Sequence, residues 1–221
     1  VTGGPIDTVV FDLGGVLIDW NPRYLYRSLF DGDDAAMERF LADVCTPEWN
    51  HRQDEGRPWA DAVAELVARW PEHRERIEAY DRRWPETLGG PIVENVALLA
   101  ELRRTPRRLF ALSNWSAEKF PVALARYEFL SWFDGILISG EVGVAKPDPA
   151  IFHHLVERFG IEPASTVFID DHAANVETGA ALGFAAIHYR EPSTLRGDLR
   201  DLGLVGSAAD DPAQSEGVDR S

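Results

Sequence analysis

Asp7-Thr8-Val9-Val10-Phe11-Asp12-Leu13-Gly14-Gly15 is the stretch that decides the fold. Apolar and β-branched residues run into an aspartate and then a glycine pair, the pattern of a buried strand followed by a turn. Similar short runs return at Arg108–Leu112, Gly135–Ile138, Thr166–Ile169 and Ala185–Tyr189, with helical patterns between them. Strands buried on both faces and alternating with helices predict a parallel sheet with helical crossovers. The expected fold is α/β, a Rossmann-like doubly wound parallel sheet core with an inserted α-helical cap.

The cap is expected over residues 20–90. That interval has no strand pattern, and helical patterns fall at Pro22–Phe30, Asp34–Val44, Pro58–Trp70 and Glu72–Trp84. In the third of these, Trp59, Val63, Leu66, Val67 and Trp70 recur at helical spacing. Five of the seven tryptophans (20, 49, 59, 70 and 84) lie there. The stripe reads as packing between cap helices, with one or two aromatics free to line a pocket. Gly89-Gly90-Pro91 reads as a hinge back to the core. The core is expected over residues 1–19 and 91–206, and residues 207–221 as a disordered acidic tail.

Composition removes several classes. The 221 residues are 45% hydrophobic and 27% charged, an ordinary globular balance. No apolar run approaches the ~20 residues of a membrane span. The net charge of −15 repels phosphodiester backbones and anionic membranes, which argues against nucleic acid and membrane as partners. Cys45 is the single cysteine, so neither an internal disulfide nor a cysteine-rich metal site is expected. It reads as a buried, inert thiol. Val1–Pro5 shows no basic-then-apolar leader, and a cytoplasmic location is the expectation. A monomer or homodimer is expected. Lys119 and Lys146 are the only lysines among 22 basic residues, so their positions carry information.

In a doubly wound sheet the active site lies beyond the carboxyl ends of the strands. The residues found there are Asp12, then Ser113-Asn114, then Lys146 across a loop, then Asp170-Asp171. Carboxylates converging on one point repel and call for a cation, and oxygen-only ligands select Mg²⁺. A lysine and a hydroxyl beside a helix start suit phosphate oxygens, and a helix is expected directly after Ser113-Asn114-Trp115-Ser116. An aspartate attacking phosphorus would split one difficult displacement into two. Each element alone has a plainer reading. Ser-Asn is a common helix cap, Asp-Asp a common turn, and a lone lysine is usually solvated. Their order on an alternating α/β pattern is what points to phosphoryl transfer.

Residues 9–19, Leu112-Ser113-Asn114, residues 143–152 and residues 167–176 together resemble the four motifs of the haloacid dehalogenase-like (HAD) hydrolase superfamily. The resemblance spans about residues 6–205. It is nearest to the subgroup with a helical cap after the first strand, and similar to the sugar-phosphate phosphatases of the Phe-Asp-Leu-Gly type. It implies a Mg²⁺-dependent phosphatase acting on a small phosphorylated metabolite through an aspartyl-phosphate on Asp12. It also implies roles. Asp12 would be nucleophile and metal ligand, the Gly14 carbonyl a second ligand, and Asp171 the metal carboxylate with Asp170 auxiliary. Ser113 and the amide of Asn114 would bind phosphate, and Lys146 would pair with Asp12 and the phosphate. Asn175 stands where many members carry a supporting carboxylate.

One position departs from the pattern. Most phosphatases of the superfamily have an aspartate two residues after the nucleophile, as proton donor and later base. Here that residue is Gly14. His51 or Asp54 of the cap, His172, or water are the candidate substitutes. A binding or regulatory role without turnover, or another HAD chemistry such as dehalogenation, is the alternative. The dehalogenases typically carry a tyrosine at position 14 and small polar residues at 170–171, which this chain does not. Trp49, His51 and Asp54, in an expected loop from Trp49 to Pro58, are the candidates for substrate selection. Asp19 is expected to cap the first cap helix. His153 and His154 read as surface residues.

Overall fold

The computed structural model describes residues 5–206. The expected tail, 207–221, lies outside them. Five parallel strands make the central sheet: β1 (Thr8–Phe11), β4 (Arg108–Ser113), β5 (Gly135–Ile138), β6 (Thr166–Asp170) and β7 (Ala185–His188), in the order β5-β4-β1-β6-β7. The remaining strands, β2 (Ile18–Trp20) and β3 (Leu88–Pro91), pair antiparallel as a ribbon. Cap helices α1 (Pro22–Leu29), α2 (Asp34–Asp43), α3 (Pro47–Asp54), α4 (Trp59–Arg69) and α5 (Arg74–Arg82) fill the interval between β2 and β3. The sheet's helices are α6 (Val93–Leu102), α7 (Phe120–Arg126), α8 (Ser139–Val142), α9 (Pro149–Phe159), α10 (Ala173–Ala181) and α11 (Pro192–Asp201).

Strand alternation sorts the core into two faces. Val9, Phe11, Ala111 and Ile169 join the cluster continuous with α6, α11 and the cap. Val10, Phe110, Leu112 and Phe168 turn to the other face, against Ile151, Phe152 and Leu155 of α9. β1 is buried throughout and pairs on both sides, with β4 and with β6. The chain builds β4 and β5 on one side of β1, then crosses to β6 and β7 on the other. This reversal opens a crevice at the carboxyl ends.

The cap has an aromatic centre. Tyr80 packs on Tyr26 (5.5 Å), Trp49 (5.7 Å) and Trp59 (5.4 Å). The Trp59 indole N–H donates to Ser116 Oγ at 3.0 Å, and its backbone N–H to Glu118 at 3.1 Å, so α4 is pinned to the core loop after β4. Among the described residues no helix is long and apolar enough to cross a membrane.

Four local expectations change. Residues 20–90 were expected to lack strands, yet Trp20 and Leu88–Pro91 form the ribbon that joins cap to core. The expected loop from Trp49 to Pro58 is helical to Asp54. Thr46 Oγ1 accepts from the Trp49 N–H and Pro47 opens the helix, while the weak apolar periodicity hid it. Asn21, not Asp19, caps α1; Asp19 accepts instead from the Tyr24 hydroxyl at 2.6 Å. The helix expected straight after Ser116 starts only at Phe120.

Two outcomes follow from this packing. Trp59→Ala removes a buried ring and the tie to Ser116, and is expected to lower stability by about 3–5 kcal/mol in urea unfolding. Burial pushes the Cys45 thiol up to about 12, against a weak lowering by the Tyr26 hydroxyl. Cys45 is therefore expected to stay unlabelled by an aromatic disulfide reagent at pH 8 until urea unfolds the chain.

Candidate active site

Parallel strands deliver their last residues to one edge of the sheet. β1 lies between β4 and β6 with Phe11 level with Ala111 and Ile169, so Asp12 emerges between the ends of both neighbours. Asp12 Oδ1 accepts from the Ser113 hydroxyl at 2.6 Å and from the Leu13 N–H at 2.7 Å. Lys146 Nζ lies 3.1 Å from the same oxygen. Oδ2 of Asp12 takes no hydrogen bond among the described residues, and the residue lines a cavity.

Lys146 is 1% exposed. Its ammonium also donates to Asp170 Oδ2 at 2.6 Å and to the Leu112 carbonyl at 2.7 Å. The Asn114 carboxamide grips its peptide from both sides, accepting from Lys146 N–H at 2.8 Å and donating to its carbonyl at 2.9 Å. Asp170 Oδ1 accepts from His172 N–H at 2.8 Å and Asn175 Nδ2 at 2.9 Å. Both Asp170 oxygens are thus taken by protein donors. Asp171 is partly exposed, with its backbone carbonyl 3.0 Å from His188 Nε2. Gly15 has φ +77°, and a Cβ there would run into the Asp171 carboxylate, so the turn needs glycine.

The charges do not balance. Asp12, Asp170 and Asp171 bring carboxylate oxygens within 4.8 Å of one another around one buried ammonium. Burial pushes the Asp12 carboxyl up to about 7, opposed by Lys146 and the Ser113 hydroxyl and reinforced by Asp170 and Asp171. Burial also raises Asp171, opposed by His172 and reinforced by Asp170. Burial works against the Lys146 ammonium, but Asp12 and Asp170 outweigh it and hold the charge. Surplus negative charge on hard oxygen donors fits a divalent cation of the Mg²⁺ type. Asp12, Asp171 and the backbone of Gly14 face the cavity and could hold it.

The cavity measures about 1100 Å³ and lies between the sheet edge and α1–α3 with α5. Its buried wall is Leu41, Cys45, Tyr80, Trp84 and Trp115. The Arg23–Glu38 ion pair, Glu48 and Arg52 occupy more exposed positions. Of the three cap candidates, His51 and Asp54 line the cavity, whereas the Trp49 ring packs into the cap centre. His153 and His154 are exposed on α9 and are not among the residues that line the cavity. The sequence reading missed Tyr80 and Trp115 as wall residues, and Asn50, which donates to Asp54. Tyr80 lay within the helical pattern Glu72–Trp84, which could not say what it would face; Trp115 and Asn50 carried no periodic signal.

The model of the haloacid dehalogenase-like hydrolases matches residues 6–183. The chain belongs to this hydrolase family. This HAD-like hydrolase is 26% identical over 194 residues to a sesquiterpene phosphatase of Aspergillus oryzae, across 87% of this chain and 94% of that protein. It is 24% identical over 212 residues to a D-ribitol-5-phosphate phosphatase of Bacteroides thetaiotaomicron, across 88% and 97%. A crystal structure of a HAD family enzyme from Bacteroides thetaiotaomicron, in complex with magnesium and inorganic phosphate, superimposes with a TM-score of 0.65 at 25% identity. That match covers 84% of this chain and 94% of its counterpart.

Replacing Lys146 by Met in this HAD-like hydrolase leaves Asp12 and Asp170 buried without a cation. The expected loss is about 3–5 kcal/mol at pH 8 in urea unfolding. With the ammonium gone, Asp12 is raised further above its unfolded value. A raised folded pKa means that the folded state binds more protons, so stability falls as pH rises through that window. The deficit against wild type is therefore expected to be largest at pH 8 and to shrink towards pH 5.

Proposed function

We propose that this chain is a Mg²⁺-dependent phosphatase that hydrolyses small phosphomonoesters through an aspartyl-phosphate on Asp12. The observation that carries the reading is the Asp12 carboxylate. One oxygen is fixed by Ser113, Lys146 and the Leu13 N–H, the other has no partner among the described residues, and the residue lines the cavity. The fixed oxygen orients the carboxylate, and the unpartnered oxygen is available to phosphorus.

In this reading, residues 20–90 are the cap and the substrate enters between cap and sheet edge. Lys146 and Ser113 hold phosphate oxygens. The Asn114 carboxamide is spent on the Lys146 backbone, so a phosphate contact from Asn114 falls to its backbone N–H. Asp12 attacks in line and the alcohol departs; water then cleaves the aspartyl-phosphate. Asp12, the Gly14 carbonyl and Asp171 would hold Mg²⁺, which when bound offsets charge on the transferring group. Asp170 serves Lys146: its oxygens accept from the ammonium, His172 N–H and Asn175, so it positions the lysine.

A sugar phosphate is the substrate class that the sequence resemblance favours, and one relative is named for ribitol 5-phosphate. A second reading has its own support. The cavity's buried wall of Leu41, Cys45, Tyr80, Trp84 and Trp115 suits an apolar alcohol, and another relative is named a sesquiterpene phosphatase.

Phosphate release from p-nitrophenyl phosphate, sugar phosphates and a prenyl monophosphate tests both readings. Release is expected with Mg²⁺, to vanish with EDTA, and to fall by about 10³-fold or more in Asp12→Asn. No release from any ester by folded protein with Mg²⁺ would turn the reading to a binding role. The ester with the highest kcat/KM decides between sugar and apolar alcohol.

A further inference from the structure

Resting on that phosphatase reading, we infer that Asp54, at the end of cap helix α3, is the group that protonates the leaving alcohol and then activates water. Gly14 carries no side chain, so the proton has to come from another wall of the cavity or from solvent. Asp54 lines the same cavity as Asp12, Ser113 and Lys146. Its carboxyl accepts from Asn50 Nδ2 at 3.1 Å and faces the backbone N–H of Ser116, two residues past Asn114. Trp115 and Ser116, of the loop that leaves β4 at the site, line the cavity with it.

No cation pairs with Asp54 among the described residues. The groups acting on it are the Asn50 carboxamide, the Ser116 N–H, the Glu55 carboxylate and the Tyr80 hydroxyl across from α5. Burial pushes Asp54 up to about 7, against the Ser116 N–H and with Glu55 adding to it. An acid poised there can both give and take a proton near neutrality. The other titratable groups of the cavity fit less well. The Cys45 thiol is pushed up to about 12 and burial holds Tyr80 well above its usual range. The His51 side chain is 41% exposed and turned to Glu55, and His172 is 71% exposed.

The proton inventory closes. An Asp12 oxygen bonds to phosphorus while the ester P–O bond breaks, and its electron pair goes to the ester oxygen. That oxygen takes the Asp54 proton and leaves as the alcohol. A water oxygen then attacks phosphorus as Asp54 takes a water proton, and the Asp12 O–P bond breaks. Phosphate and the starting enzyme result.

Two esters of similar size test this, 2-phenylethyl phosphate and p-nitrophenyl phosphate. The alkoxide needs a proton to leave; p-nitrophenolate does not. Asp54→Asn keeps an acceptor for Asn50 but has no carboxylic proton to give. Its kcat/KM is expected to fall by about 10²–10⁴-fold for the alkyl ester and by less than about 10-fold for the aryl ester. Asp54→Glu should recover part of the alkyl activity. In wild type, the alkyl-to-aryl ratio of kcat/KM should fall as pH rises through about 7, and in Asp54→Asn it should be flat. Equal losses on both esters, or none on either, would overturn the inference while leaving the phosphatase reading intact. No release by wild type from either ester would overturn that reading, and this inference with it.

Discussion

The Lys146 ammonium is the interaction on which the site depends. It is held by one backbone carbonyl and two carboxylates at the crowded edge of the sheet. Without it, Asp12 and Asp170 would face each other in a low-dielectric crevice, where carboxylates repel strongly. With it, Asp12 is fixed by one oxygen and the site still carries surplus negative charge. The supports of Lys146 reach widely through the chain. Asn114 comes from the end of β4, Asp170 from the end of β6, and Asn175 from α10 by way of Asp170. In a chain with two lysines, one is spent here and the other, Lys119, sits at the junction of core and cap against Asp81 and the Trp59 ring.

The cap answers a different constraint. A sheet edge bearing unbalanced charge is open to water, and phosphoryl transfer needs water kept out until its turn. The cap supplies a dense aromatic centre, whose Tyr26 hydroxyl donates to the Arg76 carbonyl, joined to the core by the β2–β3 ribbon and by the Trp59–Ser116 and Lys119–Asp81 contacts. Packing of Trp49 of α3 and Tyr80 of α5 into this centre accompanies the placement of Asp54 and Tyr80 on the cavity wall. Gly14 and Gly15 keep the core side slim: one leaves room where a side chain would stand, and the other lets Asp171 approach the turn.

The central strands were legible because each is a short apolar run bounded by turn residues, and the residues at their ends could be read off directly. The ribbon was not legible. Ile18–Trp20 is short, and Leu88–Pro91 contains two glycines and a proline that read as a hinge, so only their mutual pairing makes them strands. Helix α3 was hidden for a related reason. Its cap residues Thr46 and Pro47 were visible, but Trp49 and Gln53 are its only buried positions, too few for a clear stripe. Trp49 was a substrate-selection candidate because it fell in an expected loop; packing against Trp59 and Tyr80 sends it to the cap centre.

The sequence by itself determined the alternation of strands and helices, the place of the helical insertion, and which residues stand at the strand ends. Those follow from local periodicity and turn chemistry, and both are written along the chain. Tertiary structure alone decided what each of those residues touches. Ser113 meets Asp12 across 101 positions, and Trp59 meets Ser116 across 57. It also decided that Asp170 serves Lys146, that Asn114 grips the lysine's backbone, and that Asp54 lies against the loop after β4. Such contacts depend on strand register and on how the cap seats on the sheet, and no local pattern encodes either one.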